Sequence, residues 1–204
     1  MVEDMIEKIV TIKHGFKEIE AVSNFIVTHH AAKDCFIMAK EYYLSEHYQI
    51  RSLAVFICGA ISSKMPEVLL FLKEEVSLDK SWQVQEILAK GFDRFCHDTG
   101  YRASLSTIEE WLNHSNPNVR RAVTEGLRIW TGRDYFKQHP DLAIKLLSNL
   151  RNDPSETVRK SVGNALKDIS KKHGELVKLE LATWNLSQKS ENQVYKLASK
   201  HLAK

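Results

Sequence analysis

Trp82 and Glu86, and again Arg121 and Glu125, stand four residues apart, the spacing that puts two side chains on one face of a helix. Such pairs have the chemistry to act on a developing positive charge. A carboxylate near a carbon that becomes cationic stabilises it electrostatically and can position a water for attack. An aromatic face favours a cation by about 0.5–2 kcal/mol. Glu86 is the first candidate for the carboxylate, Glu125 the second, and Trp82 is the aromatic partner. Plainer uses compete. Trp82 could cover a helix start by packing on its neighbour, and Arg121 with Glu125 could be a structural couple worth about 0.2–0.5 kcal/mol.

These residues belong to a recurring segment. Its copies are Tyr48-Gln49-Ile50-Arg51-Ser52, Trp82-Gln83-Val84-Gln85-Glu86, Pro117-Asn118-Val119-Arg120-Arg121, Glu156-Thr157-Val158-Arg159-Lys160 and Asn192-Gln193-Val194-Tyr195-Lys196. Their anchors Ile50, Val84, Val119, Val158 and Val194 are 34, 35, 39 and 36 residues apart, the period of stacked antiparallel helix pairs. The pattern predicts an all-α solenoid, with helices near 17–30, 34–45, 48–62, 66–77, 82–97, 104–113, 117–130, 140–150, 156–172, 174–185 and 190–202. Asn116-Pro117 and Asp153-Pro154-Ser155 offer capping side chains and helix-start prolines. Two and six residues after each anchor lies a stripe expected on the inner, concave surface: Ser52 and Phe56, Glu86 and Lys90, Arg121 and Glu125, Lys160 and Asn164, Lys196 and Lys200. Solvated charges on an ordinary solenoid would give a similar stripe.

Composition narrows the class. With 204 residues and 43% hydrophobic content, one repeat domain over residues 1–204 is expected. No stretch approaches the roughly 18 apolar residues of a membrane span, and the acidic start lacks the basic region of a signal peptide, so a cytoplasmic monomer is expected. Cys35, Cys58 and Cys96 read as buried free thiols. His29-His30 and the scattered histidines lack ligand spacing, and there is no Gly-rich phosphate loop or nucleophile elbow. No metal or cofactor is therefore expected. Residues 1–100 carry 11 Lys and Arg against 15 Asp and Glu, a net of −4, whereas residues 101–204 carry 18 against 11, a net of +7. The basic half suggests a polyanion partner. Arg159, Lys160, Lys167, Lys171 and Lys172 form the best phosphate-binding set, extended by Lys196 and Lys200. Trp111 and Trp184 read as core.

The stretches from His114 to Arg128, with the words Asn116-Pro117-Asn118-Val119-Arg120-Arg121 and Thr124-Glu125-Gly126, and from Asn152 to Lys171 resemble the AlkC and AlkD group of bacterial DNA alkylation repair proteins. The resemblance is densest from about residue 80 to 185. It implies a HEAT-like solenoid that binds double-stranded DNA and removes cationic alkylpurines as an N-glycosylase, associated with the bacterial nucleoid. By the same resemblance, Trp82 and Glu86 match the family's aromatic and carboxylate pair, Glu86 standing where AlkD-type proteins have an aspartate. Arg121 matches an arginine of the next repeat, and Glu125 falls in a word of the AlkC branch. Asn164 replaces a second pocket tryptophan of AlkD-type enzymes, and Trp130 is a candidate to compensate for it. Two other readings stay open: a solenoid that binds damaged or branched DNA without cleaving it, and a protein-binding scaffold, which leaves the basic half unexplained.

Overall fold

The computed structural model describes residues 2–202; Met1, Ala203 and Lys204 lie outside the described residues. Among the described residues the regular structure is helical, in two compact units that meet in sequence at Gly100 and Tyr101. The boundary coincides with the change of charge sign, so the first unit is acidic and the second basic. Among the described residues no helix is long and apolar enough to cross a membrane, and no cluster of His, Cys, Asp and Glu is placed to hold a metal.

The first unit contains α1 (Val2–Val10), α2 (Lys17–His29), α3 (Ala32–Tyr43), α4 (Tyr48–Ile61), α5 (Pro66–Glu74) and α6 (Trp82–Thr99). Helix α1 is an addition to the sequence expectation. It is short, but Ile6 and Ile9 fall on one face, Ile9 is buried, and Glu3 and Asp4 suit its N-terminal turn. Gln49 of α4 donates to the Val10 and Ile12 carbonyls at 2.9 Å each, satisfying acceptors at the end of α1. Helix α4 packs against α1, α2, α3 and α6, and its Ser52 and Phe56 are buried. The first pair of the expected stripe is thus covered, and Ile50 is only half-buried. Helices α4 and α6 approach closely at two glycines: a Cβ on Gly59 would lie 2.7 Å from the Gly91 Cα. Only glycine fits at position 59 without moving a helix.

The second unit contains α7 (Leu105–Leu112), α8 (Pro117–Trp130), α9 (Pro140–Ser148), α10 (Glu156–Leu181) and α11 (Lys189–Ala198). Val119, Val158 and Val194 are fully buried, as is Val84 in the first unit, so these anchors hold the core positions assigned to them. Asn116 caps α8 by accepting from the Asn118 N–H at 2.9 Å, and Pro117 opens that helix. At α10 the arrangement differs. Asp153 accepts from the Ser155 N–H at 2.8 Å, while its carboxylate also takes the Arg120 guanidinium in two bonds of 2.7 and 2.8 Å. The break expected between 172 and 174 is a kink rather than a loop: His173 (φ −127°, ψ 43°) is non-helical, but the chain continues helically on both sides.

Arg51, Arg120 and Arg159 all follow an anchor by one residue, and each makes the same kind of rung. Arg51 reaches Asp79 and the Ser45 and Glu46 carbonyls. Arg120 reaches Asp153 and the His114 and Ser115 carbonyls. Arg159 reaches Gln193 and the Asp153 and Pro154 carbonyls. Each rung fastens one helix start to the next repeat. Cys35, Cys58 and Cys96 are buried thiols, and burial pushes the Cys58 thiol far above its ordinary range. Trp111 and Trp184 are in the core.

Candidate functional site

In the first unit, Trp82 occupies the first turn of α6 and is 69% exposed. Most tryptophans are largely buried, so this ring is held out from a helix whose Val84, Ile87, Leu88 and Phe92 form core. The start of α6 is fixed from behind: Gln85 donates to the Val76 and Asp79 carbonyls, and Asp79 accepts from the Ser81 N–H. Glu86, one turn after Trp82, is half-buried. Lys90, a further turn on, extends over the Phe16 and Phe56 rings at 5.8 and 5.6 Å from their centroids.

In the second unit, Glu125 is the centre of a polar network between α8 and α10. It accepts from Ser161 Oγ at 2.7 Å and pairs with Arg121 at 3.7 Å and Arg128 at 3.5 Å. Ser161 Oγ also lies 2.7 Å from Thr124 Oγ1, whose hydroxyl reaches the Arg121 carbonyl at 2.9 Å. Arg128 also holds Asp168 at 2.5 Å, and Asp168 holds Lys171 at 2.8 Å. Burial pushes the Asp168 carboxyl up, but the hydrogen bonds from Lys171 and Arg128 outweigh it and hold it below its ordinary range. Burial works against the Arg128 charge, and its bonds to Asp168 and Glu125 more than restore it. The two shifts agree that Arg128 and Asp168 form an ionised pair. Glu125 is thereby engaged as an acceptor for cations, an arrangement that orients Arg121.

Helices α10 and α11 flank an open hollow of about 780 Å³ lined by Arg159, Lys160, Lys189, Lys196 and Lys200, with Glu156 as the single carboxylate among the described lining residues. Asn164, Asn192 and Gln193 add amides. The helices can lie this close because Gly163 faces Leu197: a Cβ there would come within 2.7 Å of the Leu197 Cβ. Lys160 pairs with Glu156 at 2.7 Å, which draws the Glu156 carboxyl below its ordinary range. Lys189, Lys196 and Lys200 make no ion pair among the described residues. The structure therefore brings Lys160, Asn164, Lys196 and Lys200 to one hollow, as the stripe predicts. It adds Lys189, Asn192 and Gln193, which lie before or beside the Val194 anchor and outside the stripe's register. Lys167 contacts Asn164 Oδ1 at 3.3 Å, at the edge of the same wall.

Two expected contact residues are placed otherwise. Trp130 has no exposed surface: its ring packs on Gly126, stacks on Phe136 at 5.5 Å and meets Tyr101 at 5.2 Å. It is a core residue and presents nothing to DNA, because the turn after α8 brings Phe136 over it. Arg159 touches the cavity, but its four contacts to Gln193 and two carbonyls commit its guanidinium to a structural rung. It contributes charge to the hollow rather than a free bidentate fork.

A stack of helix pairs with a positively charged wall between its second helices is a HEAT-like solenoid. The chain belongs to the DNA alkylation repair enzyme family, which it matches over residues 16–202. It is similar to AlkD2 from Streptococcus mutans, with 50% identity, 98% of this chain and 96% of that chain covered, and a TM-score of 0.95. The fold is shared more distantly with the alkylpurine DNA glycosylase AlkC of Pseudomonas fluorescens, solved bound to DNA containing an abasic site analogue. That likeness has 22% identity and a TM-score of 0.69 over 92% of this chain and 52% of that one. The uncharacterized protein YhaZ of Bacillus subtilis is 35% identical over 104 residues, which span 49% of this chain and 29% of that protein.

Proposed function

We propose that within alkylation repair this protein binds duplex DNA and hydrolyses the N-glycosidic bond of cationic N3- or N7-alkylpurines. Trp82 carries the reading: a ring left 69% exposed one turn before a half-buried carboxylate is suited to meet a cation. An alkylated purine already bears positive charge and leaves as a neutral base, so its departure needs no proton. The C1′–N bond breaks with its electron pair going to the base, and the sugar becomes oxocarbenium-like. Glu86 stabilises that charge and orients the water whose oxygen bonds to C1′; the water's proton passes to Glu86 or to solvent. Arg121, oriented by Glu125, and the lysines of the α10 and α11 wall contact phosphates, giving affinity and register without sequence readout. The protein works as a monomer in the cytoplasm, on nucleoid DNA.

A second reading is favoured by a particular arrangement. Glu125 is tied up by Ser161, Arg121 and Arg128, and Asn164 offers the cavity wall an amide rather than an aromatic face. Under this reading the protein binds damaged or branched DNA and cleaves nothing. The deciding experiment is release of free methylpurine from methylated duplex DNA at enzyme excess, alongside DNA binding at graded salt. Release that is lost in a folded Glu86→Gln variant supports the glycosylase. Salt-sensitive binding without release supports the second reading, and absence of both rejects the two together.

A further inference from the structure

The hollow between α10 and α11 is more concentrated in charge than a track along a continuous strand requires. The Arg159–Gln193 bonds and the approach of Gly163 to Val194 and Leu197 show that α10 and α11 run parallel over this stretch. Antiparallel neighbours would cancel their dipoles. Here the positive ends of both helices lie on one side, with Glu156 and Lys189 opening them. Arg159, Lys160 and Lys189 stand near those helix starts and Lys196 and Lys200 further along, giving the described lining, with Glu156, a net charge of +4 from its side chains. The carboxylate is already spent on Lys160.

From this we infer that the hollow is a site for the terminal phosphate of a DNA strand, a dianionic phosphomonoester, rather than for a singly charged internal phosphodiester. The inference rests on the proposal that DNA is the ligand, but not on glycosylase activity. A monoester carries nearly twice the charge of a diester at neutral pH. It also has an additional oxygen free to accept charge-assisted hydrogen bonds from Lys189, Lys196 and Lys200. The cavity has room for the terminal nucleotide as well as its phosphate, and Asn164 and Asn192 are placed in its wall to bond the sugar or base edge. Such ends follow chemically from the proposed reaction class, because β-elimination at an abasic sugar leaves a 5′-phosphate on the downstream strand.

The test uses the full-length protein and two hairpin duplexes with the same sequence and an internal fluorophore, one ending in a 5′-phosphate and the other in a 5′-hydroxyl. Binding is measured by anisotropy. The phosphorylated end is expected to bind roughly tenfold more tightly, the scale of one charged hydrogen bond. The Lys189→Gln/Lys196→Gln variant, checked by its melting temperature, is expected to bind both hairpins more weakly and to lose the preference, its affinities for the two ends becoming equal. Equal affinity for the two ends, reduced equally in the variant, would overturn the inference and leave DNA binding standing. Displacement of the phosphorylated hairpin by an equal concentration of deoxynucleoside 5′-monophosphate would also overturn it, assigning the hollow to a free nucleotide. Binding of neither hairpin would reject the DNA reading itself.

Discussion

Replacing Asp153 with alanine tests whether the arginine rungs hold the second unit together. Asp153 and Arg120 are buried, with side chains 3% and 9% exposed, and two short bonds join them. Removing the carboxylate strands a guanidinium away from water, and breaking such a pair costs about 3–5 kcal/mol. The Ser155 N–H at the start of α10 also loses its acceptor, adding about 1 kcal/mol. The sum, about 4–6 kcal/mol, is a large share of the 5–15 kcal/mol typical of a folded domain. At about 2–4 °C per kcal/mol for a chain of this size, the melting temperature should fall by roughly 8–24 °C. Denaturation by heat and urea, followed by circular dichroism, measures it. The control is Arg120→Met/Asp153→Leu, which removes both charges and should recover to within about 2 kcal/mol of the parent. A loss below about 1 kcal/mol in Asp153→Ala, or a double variant no more stable than the single one, would refute the argument.

The close helix contacts give an asymmetric glycine pair. Gly59→Ala drives a methyl into the Gly91 backbone and should cost about 1–3 kcal/mol, whereas Gly91→Ala meets its nearest atoms at 3.6 Å and should be neutral or gain about 0.5–1 kcal/mol from helix propensity; urea melts of both compare them. Trp82→Ala should change stability by less than about 0.5 kcal/mol because the ring is exposed, while Trp130→Ala should cost about 3–5 kcal/mol. A Trp82→Ala variant that melts early would mean that the ring is structural. Glu191 is buried and accepts from Arg151, Asn152 and the Asn185 N–H. Burial pushes its carboxyl up, but these bonds prevail and hold it below its ordinary range. Its stabilisation is therefore full above the unfolded carboxyl value, near pH 4, and is lost as pH falls through the lower folded value. Glu191→Gln should be less stable at neutral pH and show a shallower acid slope in chemical melts; an unchanged slope would contradict the assignment.

The repeat period was legible because valines at one slot must be buried in every copy, and Val84, Val119, Val158 and Val194 are. Helical spacing also placed Lys160, Asn164, Lys196 and Lys200 on a common face. It could not say which residues a neighbouring segment covers. Ser52 and Phe56 are buried where α4 packs on its neighbours, and Trp130 lies against Phe136. Arg159 has a structural use whose signal lies in the sequence: an arginine recurring one residue after Ile50, Val119 and Val158 argues for a repeated structural job. The short α1 was overlooked because nine residues carry little periodicity. The network around Glu125 depends on Ser161, which comes from the following repeat.

The bend at His173 makes the junction between α9/α10 and the last helix pair unlike a loop. A loop can absorb an extra residue, but an α-helix turns about 100° for each one. One residue inserted beside His173 would therefore swing Val177 and Leu181 away from the interior they now fill, and through them displace the segment leading to Lys189 and Lys196. Length at this point is geared to rotation like a camshaft: the lysines of the hollow keep their timing only while the residue count between Val158 and Val177 stays fixed.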